Sequence, residues 1–234
     1  MKLRYHAEHR GDHPSWIYTA HVSIEAESHR GRPAWRRSYR LEVLNRPSGP
    51  DSAPDNVIEG TIVLDRETMA PLEARSRFGK TRSESIFRSD RVEGTNVAED
   101  GKVSHTAVPV QGLVVTDVWA GFDLYLLGLP LREGFQNRAA VLYYGDKPPR
   151  PFHLSVERIE RIHVPAGDFD AFRIRVDPLD GDDRMRSTYH VRTDGPRAVV
   201  RKEYVVNPIT EGPMKQSTGV EELEAIEPTS ASDR

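Results

Sequence analysis

Three histidines near the start of the chain, His6, His9 and His13, are the first residues whose type and spacing could do chemistry, because imidazole nitrogens bind zinc. Side chains alternate between faces along a strand, so His6 and His9 point apart, and no carboxylate is placed to complete a closed site. Four aspartates, Asp177, Asp180, Asp182 and Asp183, gather around Gly181 in the manner of a calcium loop. Such a loop closes on a glutamate at its twelfth position, and counted from Asp177 that position is Thr188. A solvated Asp-Gly hairpin turn is the simpler account. Asp117 and Asp123 could be an acid and base pair, but residues six apart lie on different sides of a helix, and Asp117 is better suited to capping one.

Nucleophile signatures are missing: the chain has no Gly-x-Ser-x-Gly, Ser-x-x-Lys or His-Glu-x-x-His, and no glycine-rich phosphate cradle. It contains no cysteine, which excludes disulfides, thiolate metal sites and cysteine nucleophiles together. The sequence therefore assigns no catalytic residue, no metal ligand and no cofactor.

What remains is aromatic. Trp119, Phe122 and Leu126 recur at helical spacing, and Leu124, Tyr125 and Leu127 make the rest of that segment nearly apolar. Asp117 can cap the start, Gly128 and Pro130 end it, and the spacing predicts a helix over 117–128. Asp123 stands almost alone as a charge, so the helix is expected to be covered on more than one side. An aromatic helix laid in the concavity of a curved sheet can line a cavity for an apolar ligand. Dense core packing is the alternative for the same residues.

The elements that must position this helix are strands. From Trp16 to Ala26 the residues Tyr18, Ala20, Val22, Ile24 and Ala26 are apolar and alternate with Thr19, His21, Ser23 and Glu25. Beyond a turn at His29 to Pro33, Trp35, Tyr39, Leu41 and Val43 alternate with Arg36, Ser38, Arg40 and Glu42, and Arg37 is the exception on the apolar face. These two segments predict a long hairpin, with Tyr18 and Val22 on the face turned to a core. A Pro, Ser and Asp-rich loop follows at 45–56. Short strands are then expected at 57–65, 72–78, 83–89, 91–98 and 102–108, and after the helix at 138–144, 152–164, 169–176, 186–193, 198–206 and 217–226. The expectation is one domain over 1–227 with a frayed tail at 228–234.

Composition narrows the classes. The net charge is −3 with 29% charged residues interspersed along the chain, so no field is built to attract nucleic acid. The densest basic stretch, Arg30, Arg32, Arg36, Arg37 and Arg40, reads as a solvated strand face. No apolar run approaches the length of a membrane span. The first residues lack an apolar targeting segment, so a cytoplasmic location is expected if the chain is complete, and a periplasmic or other extracytoplasmic one if a signal was removed.

Three segments carry a resemblance: Asp117 through Trp119, Phe122, Tyr125 and Pro130 to Gly134; Val164-Pro-Ala-Gly-Asp168 running on to Val176; and Tyr189 through Gly195 and Pro196 to Arg201. Together they resemble a bacterial domain family of unknown function of the DUF3108 type, over roughly 57–226. The resemblance implies a fold similar to the lipoprotein carriers LolA and LolB: mostly β, a strongly curved antiparallel sheet forming an unclosed barrel, with the helix across its concave side. It brings no catalytic residues. The expected partner is a lipid or other apolar small molecule held between sheet and helix by Trp119, Phe122, Tyr125, Leu126, Tyr18 and Val22. A structural or protein-interaction role in the cell envelope is the alternative, and an enzyme with a pocket in the sheet is a third.

Overall fold

Alternating apolar and polar residues bury one face of a strand and leave the other to solvent, and here nearly the whole chain obeys that pattern. The computed structural model describes residues 1–10, 17–44, 57–116, 121–142, 148–181, 185–206 and 217–227. They form one unclosed, curved, fifteen-stranded sheet with one short helix. The loop expected at 45–56, the residues Asp117 and Trp119, and the tail at 228–234 lie outside the described residues.

Strands β1 (Lys2–Arg10), β2 (Ile17–His29), β3 (Arg32–Val43), β4 (Val57–Asp65), β5 (Pro71–Phe78), β6 (Thr81–Phe87), β7 (Arg91–Val97) and β8 (Val103–Pro109) form an antiparallel meander. After β9 (Val114–Thr116) and helix α1 (Gly121–Gly128), a second meander runs through β10 (Gln136–Leu142), β11 (Arg150–Val164), β12 (Gly167–Pro178), β13 (Ser187–Arg192), β14 (Val199–Val206) and β15 (Ser217–Glu227). β1 pairs with β15, so the two meanders join through the ends of the chain, and the free edges of the sheet are β8 and β9. β9 runs parallel to β10, which requires a crossover, and α1 is that crossover.

The β2–β3 hairpin turns on Arg30 and Gly31, whose φ angles of 52° and 80° are both positive. That is the two-residue turn whose twist matches the flanking strands, and glycine carries its second position without steric cost. At the β4–β5 turn, Asp65 Oδ1 accepts hydrogen bonds from the amides of Glu67 and Thr68 at 3.1 and 2.9 Å. These bonds hold the Asp65 carboxyl below the usual range and fix the turn that presents Met69 to the helix.

A sheet of this many strands rolled into a round cylinder would enclose a space too wide for side chains to fill. Here the interior is occupied by α1. Phe122, Leu124, Tyr125 and Leu126 are all buried, packed with Ile62, Leu64 and Ala74 from β4 and β5, and with Phe152, Leu154, Ile174 and Tyr189 from β11, β12 and β13. Full burial of one such side chain is worth about 1.5–3 kcal/mol. The β9 edge is tucked inside as well, because Val114 packs with Val92 of β7 and Leu142 of β10. A second apolar cluster, which includes Tyr5, Val22, Leu41 and Leu223, lines β1, β2, β3 and β15.

Candidate functional site

The inner face is set by register. Val22 pairs with Tyr39, Ala20 with Leu41 and Ile24 with Arg37, and since Ala20, Val22, Tyr39 and Leu41 are core residues, Arg37 points into the same interior. One row further along, Tyr18 of β2, Ala7 of β1, Glu221 of β15, Lys202 of β14 and Tyr189 of β13 stand side by side across five strands. An otherwise apolar face therefore carries three charged side chains, and the helix brings a fourth, Asp123.

These groups meet under α1. Asp123 and Arg37 are each 4% exposed, with Nη2 of Arg37 3.5 Å from Oδ2 of Asp123. Lys202 Nζ lies 3.9 Å from the other carboxylate oxygen, which makes no hydrogen bond among the described residues, and the same Nζ sits over the rings of Tyr189 and Tyr204 at 5.1 and 5.2 Å. The Tyr18 hydroxyl donates to Glu221 Oε2 at 2.7 Å and lies 3.1 Å from the Tyr204 hydroxyl. Burial, and next the charge of Asp123, push the Glu221 carboxyl up, against the opposing pull of Lys202, Tyr18 and Arg37. Burial likewise pushes up Tyr5, Tyr18 and Tyr39, so these hydroxyls remain protonated donors rather than becoming acids or nucleophiles near neutral pH. Tyr5 uses its proton on the carbonyl of Val199 at 3.0 Å. Chemically, the cluster can anchor a helix and hold a proton on Glu221.

The structure places most of the expected ligand-lining residues around this interior. Phe122 and Tyr125 are buried, with the Phe122 ring 5.9 Å from that of Tyr125 and 5.6 Å from that of Tyr189. The Tyr125 hydroxyl accepts from Asn137 Nδ2 at 2.9 Å, and Leu126 is wholly enclosed. Val22 lies in the second apolar cluster, with Tyr18 packed against it. Arg197 clamps the far end of α1, donating to the carbonyls of Leu127 and Leu129. In this arrangement the helix residues are core. A cavity of about 720 Å³ opens elsewhere, over β3 to β7.

Arg37 corrects one expectation: it belongs to the interior and not to a solvated basic face. Its position among apolar neighbours was the visible sign, as was the isolation of Asp123 on its helix. Lys202 and Glu221 were missed, although each shares a face with Tyr204 and Leu223 respectively.

Among the described residues the histidines do not assemble a reactive group with this cluster. His163 lies 2.7 Å from Asp168 at an exposed hairpin end, and His6 is 3.4 Å from Glu8. His190 is buried on the outer face with Nε2 2.8 Å from Glu160, and burial lowers its pKa despite that carboxylate. His13 and the side chain of His9 lie outside the described residues. Among the described residues no group of three or more His, Asp or Glu side chains is placed to hold a metal ion, and no helix is long and apolar enough to cross a membrane.

The fold has a counterpart among solved structures. A crystal structure of a β-barrel-like protein of domain of unknown function DUF1849 from Brucella abortus matches with a TM-score of 0.57 at 9% identity, covering 96% of this chain and 95% of that one. A protein with a YmcC-like fold from Bacteroides fragilis matches with a TM-score of 0.36 at 10% identity, covering 97% and 95%. The first likeness is one of fold. No curated protein matches the sequence. The model of the family described as protein of unknown function DUF3108 matches residues 15–208, most of the curled sheet together with α1, and the chain belongs to that family.

Proposed function

We propose that the protein is a non-enzymatic binding protein that holds a lipid acyl chain, or an apolar molecule of similar shape, in the concavity between the sheet and α1. Phe122, Tyr125, Leu126, Tyr18 and Val22 line the site. The observation that carries this reading is that the interior of the sheet is filled by a helix apolar on nearly every side, whose one acid is held by buried Arg37 and partly buried Lys202. A buried ion pair is a weaker fastening than well-packed hydrocarbon, and its best attested use is in registers and switches. In this reading α1 is a plug that shifts to share the concavity with the ligand. Titration with a fluorescent acyl chain is expected to give saturable one-to-one binding that unlabelled fatty acid displaces. Protein that takes up no probe, and shows only its bare mass when purified gently for native mass spectrometry, contradicts the proposal.

A second reading rests on β8. Among the described residues this edge strand pairs only with β7, and Val103, Ser104, His105, Thr106, Ala107, Val108 and Pro109 include no Lys, Arg, Asp or Glu to discourage further pairing. Such an edge suits strand addition by a protein partner, a second copy being the simplest. A concentration-dependent dimer in light scattering that Ala107→Lys dissolves would favour this role.

A further inference from the structure

The groove over β3 to β7 lies on the face away from the helix, because its walls are the outward-pointing neighbours of Tyr39, Gly60 and Ser76. One register row crosses it completely: Arg40 of β3, Glu59 of β4, Arg77 of β5, Arg82 of β6 and Val97 of β7. Glu59 serves both Arg40 and Arg77, the latter at 3.4 Å. Arg77 and Arg82 face each other directly, an arrangement that destabilises a strand pair. Arg82 has Val97 on its other side and, among the described residues, no carboxylate within ion-pair distance. The comparable pair on the far side of the sheet, Arg158 opposite Arg173, is relieved, because Arg158 and Arg173 both reach Glu160 and Arg173 also holds Glu157. The next row of the groove is relieved too, with Arg75 3.0 Å from Glu84. Arg82, a guanidinium with no carboxylate partner among the described residues, thus stands opposite a second one, Arg77, which shares Glu59 with Arg40, over a cavity of small-ligand size on a chain whose net charge is negative.

We propose that this groove binds a phosphate-bearing ligand, with the phosphate dianion bridging Arg77 and Arg82 and the uncharged remainder lying along Thr61, Thr95 and Val97. Two facing guanidinium forks offer paired N–H donors to the oxygens of one phosphate, and the bound dianion removes the repulsion between them. The site is separate from the concavity, and a free phosphomonoester and a lipid headgroup present it with the same chemistry.

The test is calorimetric titration of the whole protein with inorganic phosphate, with glycerol phosphate, and with phosphatidylcholine vesicles with and without phosphatidic acid. Saturable binding of glycerol phosphate, weakened about tenfold or more by Arg82→Gln and unchanged by Arg91→Gln, is the expected result and identifies a soluble phosphomonoester. Binding confined to vesicles that contain phosphatidic acid, with the same sensitivity to Arg82→Gln, supports the site and identifies a headgroup. A thermal readout reports on the geometry: in phosphate-free buffer Arg82→Gln is expected to melt above the parent, and added phosphate to raise the melting temperature of the parent only. Absence of binding to all three probes, or equal binding by parent and Arg82→Gln, overturns the proposal. Acyl-chain binding by Arg82→Gln is expected to match the parent, which keeps this test distinct from that of the concavity.

Discussion

Asp123 and Arg37 are held together with almost no access to water, and Lys202 approaches the same carboxylate from another strand. Removing one member of such a group leaves the others charged and unpaired in a medium that solvates them poorly. Asp123→Ala is therefore expected to destabilise the protein by about 3–5 kcal/mol, measured by denaturant unfolding. Glu221 makes a prediction of opposite sign. An acid whose pKa is raised by folding holds its proton more tightly in the native state, so its contribution is most favourable below the ordinary glutamate range and is lost as pH rises toward the raised value. Glu221→Gln keeps an acceptor for Tyr18, and its melting temperature is expected to exceed that of the parent by a margin that grows from about pH 4 to neutrality. A margin independent of pH would show that folding does not raise the Glu221 pKa. Of these residues, Arg37 and Asp123 were legible as charges in apolar company. The meaning of Lys202 and Glu221 depends on which strands become neighbours, and a strand pattern read alone does not contain that.

At the scale of elements, period-two alternation located the strands from β2 to β8 and from β10 to β15 to within a few residues. β9 is too short to show a period, and it is a strand only because α1 returns the chain alongside it. In β1 the alternation of Leu3, Tyr5 and Ala7 was present, but His6, His9 and His13 drew the chemical reading instead. Two glycines explain how the inner face closes. Tyr39 is paired with Gly60 and Tyr204 with Gly219, and each ring lies across its glycine. A Cβ built on Gly60 would come 2.2 Å from the Tyr39 hydroxyl and 2.4 Å from the Arg75 carbonyl. Gly60→Ala is expected to cost about 1–3 kcal/mol, and Tyr39→Phe to restore only part of it, because the backbone contact remains. Full recovery in the double variant, followed by thermal unfolding, would mean that the tyrosine alone sets the constraint.

For the molecule as a whole, the strands and the apolar helix were legible because both follow from local periodicity, whereas the strong curvature and the place of the helix across the concave side came with the family resemblance. The splice of β1 to β15, the free edges at β8 and β9 and the ionic group under the helix were not, since each is a long-range consequence of closure. The account stands on α1 being a plug that shares the concavity with an apolar ligand, and the cysteine-free chain offers a clean background for testing it. A Cβ on Gly128 would touch the Met69 side chain, so Gly128→Cys with Met69→Cys places two thiols where a disulfide can tie the helix to the β4–β5 turn. The decisive measurement is acyl-chain titration of this variant, oxidised and then reduced. Loss of binding when oxidised and recovery on reduction is the predicted result, whereas equal binding in both states would contradict the plug.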